Sequence, residues 1–477
     1  MRINDIIATI QNNFYFALIM IVILALFMAV GYFLVYKRFL KGDKNLDKRK
    51  VFIWFCFMGY IIMVIGVTFI GRGVRTYGDS NLHFLSTYRE AWNSFSTTSW
   101  TQLLLNIIML VPLGIILPLI NNRFRKFKWT IVASLLFTLT IETIQILTGY
   151  GVFDLDDIFN NMIGAIVGYG IVMTFITIVE RERKQYKRLA LYLLPLISVI
   201  ILSITIIGVY NTKEFGNLFI AYKYKINMKN IELSLNTEID DKQLLLNNNS
   251  YNIEEVPIYK TTTYDKDYGE QFFRDFLKDK DIDEEIEVDP YDTMAIYWYR
   301  SEGYSMSFNY NGGSYDYTDF SSFDEGVDRA DADKENIEKE LKKLDISIPE
   351  AAVFSKNTDS DGLVYFEWSV ENYVDGEYII NGSLSAKYYD DSTIKSLENN
   401  IIKYKKVRDV RIISKEEVYE RFKEGKFNIY NGKNIKNIEV EEIKLSYMID
   451  SKGFYQPIYK FELKIDGVDQ NIYIPAL

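Results

Sequence analysis

The sequence predicts a membrane all-α bundle of six transmembrane helices followed by an extracytoplasmic α+β domain. Three observations carry this reading: long apolar runs confined to residues 1–210, a charge balance that reverses near residue 214, and alternating strand and helix patterns from residue 215 onward. Residues 1–214 carry 21 Lys/Arg against 12 Asp/Glu, and residues 215–477 carry 33 against 52, so the halves stand at +9 and −19. At 477 residues the chain has room for two or three domains. The acidic half would repel phosphates, which excludes nucleic acid as its partner. One cysteine, Cys56, excludes an intramolecular disulfide and a cysteine zinc site. One histidine, His83, leaves no multi-His metal site and argues against a Ser-His-Asp triad.

The apolar runs are Phe14–Tyr36, Val51–Ile70, Leu103–Ile120, Trp129–Leu147, Ile158–Val179 and Leu189–Tyr210. Each is long enough to cross a hydrocarbon core of ~30 Å as a helix, the form that satisfies its own backbone in lipid. The first is too long, and lacks the small-residue cleavage site, for a signal peptide, so it reads as an uncleaved helix. Cys56 is expected to be an apolar filler in the second.

Loop charges set the expected orientation. Lys37, Arg38, Lys41, Lys44, Lys48, Arg49 and Lys50 follow the first span. Arg123, Arg125, Lys126 and Lys128 follow the third, and Arg181, Arg183, Lys184, Lys187 and Arg188 follow the fifth. Positive-inside bias places these loops in the cytoplasm. The N-terminus, the acidic turn at Asp154 to Asp157 and all of residues 215–477 are then extracytoplasmic.

With that orientation, polar residues from three spans meet at one depth. Asn106 lies near the outer end of the third span, and Glu142 and Gln145, at i and i+3, share a face of the fourth. The fifth begins with Asp154, Asp156, Asp157, Asn160 and Asn161. Asp157, Asn161, Gly164 and Gly168 form one stripe on it, whose glycines let a neighbouring helix approach closely. Pro112 and Gly114 are expected to mark a kink in the third span. Each polar residue alone also has a structural reading, with Asp156 or Asp157 capping the fifth helix and the others bonding between helices. A Glu and three Asp at one level exceed what caps and interhelical contacts require, which points to a ligand site.

These residues resemble the VanZ-like family, over about residues 88–170 of a segment extending to about 180. The segments that carry the resemblance are YREAWNSFS (88–96), NIIMLVPLGIILPL (106–119), IETIQ (141–145) and FDLDDIFNNMIGAIVGYG (153–170). The family pattern is an Asn before an apolar-Pro-x-Gly turn, a Glu-x-x-Gln pair, and an acidic run leading to Asn-x-x-Gly. The resemblance implies a polytopic protein of the Gram-positive cell envelope, since the family is named for a protein associated with resistance to the glycopeptide teicoplanin. The family often has an arginine before the acidic run; this chain has Tyr150-Gly151 there, leaving Arg89 to stand in for it or the ligand to differ.

Residues 215–477 are expected to form two α+β modules, 215–350 and 351–477. Leu445, Tyr447 and Ile449 alternate with polar neighbours, as do Tyr459, Phe461, Leu463 and Ile465, and Ser451-Lys452-Gly453 between them predicts a hairpin. Ser414 to Glu417 is a capping box opening a helix that Gly425 stops. Glu335–Leu344 predicts another short helix. The stretch from residue 376 resembles PepSY and YycI-like envelope regulatory domains, through DGEYIINGSLSAKYYDD (375–391), ISKEEVYERFKEGKF (413–427) and YQPIYKF (455–461). Tyrosine-rich strands suit sugar stacking or ordinary β-propensity. The acids from Asp279 to Glu285 suit a solvated surface or weak Ca²⁺ binding.

Three functions follow as alternatives. In the first, Arg89, Asn106, Glu142, Gln145, Asp154, Asp156, Asp157, Asn160 and Asn161 bind a lipid-linked cell-wall precursor, its head group or a glycopeptide among membrane lipids. In the second, Glu142 is the acid or base of a membrane enzyme, with a divalent cation on Asp154, Asp156 and Asp157. In the third, the outer domain regulates an envelope protein and the spans are an anchor.

Overall fold

In this computed structural model the described residues are 47–70, 80–180, 185–220, 222, 225–236, 244–246, 249–251, 255–280, 282–291, 293–321, 334–358, 364–388, 394–429 and 435–477. The expected first span, Phe14–Tyr36, and the basic residues from Lys37 to Lys44 lie outside them, as do Arg181, Arg183 and Lys184. The chain divides into two compact units, Met1–Glu214 and Phe215–Leu477.

The first unit is helical. Its described helices are α1 (Lys48–Ile65), α2 (Ser86–Ser94), α3 (Thr97–Ile120), α4 (Phe127–Thr148), α5 (Leu155–Val179) and α6 (Gln185–Thr212). All but α2 are long and apolar enough to cross a membrane, which gives five described spans. Local chemistry sets their ends. Asp47 accepts the Arg49 N–H at 3.0 Å before α1, and Ser96 accepts the Ser99 N–H at 3.2 Å before α3. Gly149, at φ +71°, ends α4 in the left-handed conformation that favours glycine. α3 runs as one helix through Pro112 and Pro118 to Ile120.

The bundle core is small: Tyr60, Val64, Leu110, Leu113, Leu117, Ile141 and Ala165 are buried together. Leu191, Leu194, Ile201 and Ile204 on α6 are exposed, a surface suited to lipid rather than water. Cys56, on α1, is exposed as well.

The second unit is β-rich, with one sheet of 14 strands among the described residues and three helices, α7 (Lys266–Phe276), α8 (Lys334–Lys343) and α9 (Lys415–Lys423). The strands Asn437–Ile449 and Phe454–Ile465 pair antiparallel, with Leu445 opposite Tyr459. Buried Asp450 organises their turn, accepting N–H bonds from Lys452 at 2.7 Å and Phe454 at 2.9 Å. Ser414 caps α9 through the Glu417 N–H at 3.2 Å, and Gly425 follows at φ +72°.

The hydrophobic cores are grouped differently from the modules 215–350 and 351–477. One core joins Val256, Ile258 and Tyr259 to Phe422, Phe427, Tyr459 and Phe461 from the end of the chain. The other, including Phe273, Tyr297, Phe308, Phe366 and Trp368, is built by the sequence between them. Several tyrosines fill these cores: Tyr259, Tyr297 and Tyr459 are at most 1% exposed.

Candidate functional site

The polar residues of the first unit gather at the start of α5. Asp154 is its N-cap, accepting the Asp156 N–H at 2.8 Å. The Asp154 backbone N–H in turn donates to Glu142 Oε2 at 3.1 Å, tying α4 to the cap. Asn106 on α3 donates its side-chain amide to Asp157 Oδ1. Glu142 is 2% exposed, and a carboxylate so buried costs several kcal/mol without partners. Here Glu142, Asp154, Asp156 and Asp157 each accept at least one N–H bond.

Asp156 has a different task from capping its own helix. Completely buried, it accepts the N–H groups of Leu85 at 2.6 Å and Thr87 at 2.8 Å, and the Ser86 hydroxyl at 3.4 Å. It therefore caps α2, about seventy residues earlier, and complements that helix's N-terminal dipole. Asn81 adds a second tie, donating to Asp154 Oδ2 at 3.0 Å while Ser80–Asn81 pairs parallel with Phe153–Asp154. Tyr88 on α2 donates its hydroxyl to Asn160 Oδ1. Burial, with the Asp156 carboxylate nearby, pushes the Tyr88 phenol up to about 12, so it stays a donor at neutral pH. Arg89 follows Tyr88 on α2, half-buried.

Backbone proximity holds α3 and α5 together. A Cβ on Gly164 would lie 1.8 Å from the Ile107 carbonyl oxygen, and one on Gly168 would lie 2.1 Å from that of Val111. From the other helix, a Cβ on Gly114 would lie 2.2 Å from the Ala165 oxygen. No side chain fits at these positions without moving the backbone, and the same contact that excludes one brings Asn106 to Asp157.

Gln145 is buried one turn beyond Glu142, and a Cβ on Gly151 would crowd it at 3.2 Å. Asn161 donates to the Thr138 hydroxyl at 2.9 Å. The three aspartates accept N–H groups that come from separate segments of the chain. Among the described residues no group of three His, Cys, Asp or Glu is arranged to hold a metal ion. The contacts seen at Asp154, Asp156 and Asp157 are capping and cross-linking ones.

Sequence reasoning did not single out Asn81, Ser86, Tyr88 or Thr138. Thr138 could have been found by extending the Glu142 face one turn back, but the ties from Asn81 and Ser86 are long-range and leave no local pattern.

The family model described as VanZ/LLP1 matches residues 51–177, the stretch that holds α1 to α5 and the polar cluster. Residues 51–177 form a VanZ-like domain. The VanZ-like domain makes this a membrane protein, with its polar residues gathered at one end of the described spans. Among curated proteins, none matches the chain. Similar solved structures include an uncharacterized protein from Eubacterium rectale, at 15% identity and TM-score 0.28, with 49% of this chain and 89% of that one covered. Another is the YpeB C-terminal domain of Bacillus megaterium, at 16% identity and TM-score 0.22, covering 45% of this chain and 94% of that one.

Proposed function

We propose that the chain is a cell-envelope protein whose VanZ-like domain binds the polar head of a lipid-linked cell-wall precursor at the outer leaflet, changing how glycopeptides of the teicoplanin type meet their target. The carrying observation is the set of four carboxylates fixed by N–H donors around the start of α5, with Asn160 fully buried beside them and its amide nitrogen without a partner. Fixed carboxylates recognise hydroxyl, amide and ammonium donors and repel diphosphate, so the sugar and peptide of such a precursor are the parts they suit. Every one of these acids has a positioning contact, which favours recognition over turnover.

Arg123, Arg125, Lys126 and Lys128 flank the opposite ends of α3 and α4, and positive-inside bias supports placing the acidic end outside. The second unit then lies outside as well, where it would recruit or sense an envelope protein.

The test is binding of a purified lipid-linked disaccharide-pentapeptide to the full chain in nanodiscs. Saturable binding that Glu142→Gln weakens at least tenfold is expected. Equal binding by both proteins, or none by either, would contradict the reading.

A further inference from the structure

The buried face of α4 continues from Glu142 back toward the start of the helix. Thr130, Ser134, Thr138 and Glu142 follow one another at intervals of four, and Thr130, Ser134 and Thr138 are completely buried. Their hydroxyls behave unlike the others on the same helix. The exposed Thr140 and Thr143 and the half-buried Thr148 each donate to the carbonyl four residues back, at 2.8, 2.7 and 2.7 Å. That bond is the usual resting place of a hydroxyl in an apolar solvent.

In the buried row, Thr130 donates instead to the Phe124 oxygen at 2.6 Å, beyond the start of the helix. Thr138 receives the amide of Asn161 at 2.9 Å. Ser134 Oγ has no hydrogen-bond partner, and neither has Asn161 Oδ1, which reaches this row from the facing helix α5 at 1% exposure. Leaving such groups dry costs about 1–3 kcal/mol each, and buried polar groups of this kind are ordinarily satisfied by water. The spacing suits water. Four helical residues rise about 6 Å, nearly the length of two hydrogen bonds of about 2.8 Å joined through one molecule.

We propose that Thr130, Ser134 and Thr138, with Asn161 facing them, hold a file of buried water that carries protons between Glu142 and the basic turn at Asn122–Arg125. Each transfer breaks one O–H bond as the next forms, so a proton taken up at one end is matched by one released at the other, and no further reagent is consumed. At the acidic end the path opens through Asp154, which is half-buried and whose N–H meets Glu142. At the other end Thr130, whose hydroxyl meets the Phe124 carbonyl, lies beside the exposed residues Asn121 to Arg123, where the file exchanges its proton with solvent water.

The test uses the full chain in liposomes loaded with a pH-sensitive dye, under a potassium diffusion potential set by valinomycin. Wild type should pass protons at least tenfold faster than Ser134→Val, whose methyl groups fill the water position, while Ser134→Thr retains the flux. Equal flux from wild type and Ser134→Val, or wild-type flux no higher than that of protein-free vesicles, would overturn the proposal. Because Ser134→Val could lower folding, the smaller Ser134→Ala is melted in nanodiscs. A lower Tm than wild type is expected if the hydroxyl is bonded to water, and an unchanged or higher Tm means a dry hydroxyl and overturns the file. Neither readout involves a cell-wall precursor, so the result is independent of the ligand proposed above.

Discussion

In the VanZ-like domain glycines, amides and carboxylates join a small apolar core in fixing one helix against another, whereas the second unit is held by rings and branched aliphatics. Gly164 and Gly168 seat on the backbone of α3, and Asn106, Glu142 and Asp156 bond across segments. Phe422, by contrast, stacks between Phe427 and Phe461 at ring separations of 4.7 and 4.9 Å, and the ion pairs of that unit lie at its surface. The difference follows from the solvent. Apolar side chains leaving water gain roughly 25 cal/mol per Å², but those leaving lipid gain little, so close backbone approach and polar bonds must specify the packing. A buried carboxylate in the helical half is therefore partly a structural device, and its function must be separated from that role by experiment.

The sharpest way to break the comparison is to remove a ring from the aromatic core. Phe422→Ala should cost the second unit about 3–5 kcal/mol, as loss of a fully buried phenyl group does, measured by urea denaturation. A negligible shift in the midpoint would mean that the stack is not what holds this core.

Adding one carbon to the helical half should matter as much as its size permits. Gly164→Ala places a methyl where the Ile107 carbonyl oxygen sits, and overpacking of this kind costs about 1–3 kcal/mol. The readout is the melting temperature in detergent, with Gly208→Ala as the control because a Cβ there meets nothing within 4 Å. Equal melting temperatures for the two variants would remove the close approach from the account.

The smallest effect is expected at the surface of the second unit. Lys460 at 2.9 Å and Lys444 at 3.1 Å hold the Glu462 carboxyl below its ordinary value. Its contribution is therefore complete above the usual carboxylate pKa and is lost as pH falls through the lowered one. With Glu462 about a third exposed, the loss should be about 0.2–1 kcal/mol. Stability measured against pH should fall slightly less on the acid side for Glu462→Gln than for wild type, and identical profiles would show the pair to be inert.

What the sequence made legible is what depends on near neighbours. The capping of α9 by Ser414, the turn after Ile449 and the shared face of Glu142 and Gln145 all follow from spacings of four residues or fewer. The spans follow from continuous apolar runs. The structure departs where a contact joins distant segments. Asp156 reads locally as a cap for α5, yet its carboxylate serves α2, because Asp154 already occupies the cap position two residues earlier. Spacing likewise cannot show that Asn81, Leu85, Thr87 and Asn106 arrive from elsewhere as donors to the acidic run. The core grouping of the second unit is equally hidden, since Tyr259 meets Tyr447 and Tyr455 nearly two hundred residues later.

The central claim is that Glu142 and Asp157, reached from α4 and α5, serve one recognition site. The most direct measurement is teicoplanin susceptibility of cells carrying wild type, Glu142→Gln, Asp157→Asn and the double variant, with membrane protein levels quantified in each. The account predicts that wild type raises tolerance above that of cells lacking the protein, that each single change removes this gain while the chain still accumulates, and that the double variant is no worse than either, as for residues acting together. Full tolerance in either single variant, or loss that tracks lowered protein level, would contradict it and leave these acids as packing contacts.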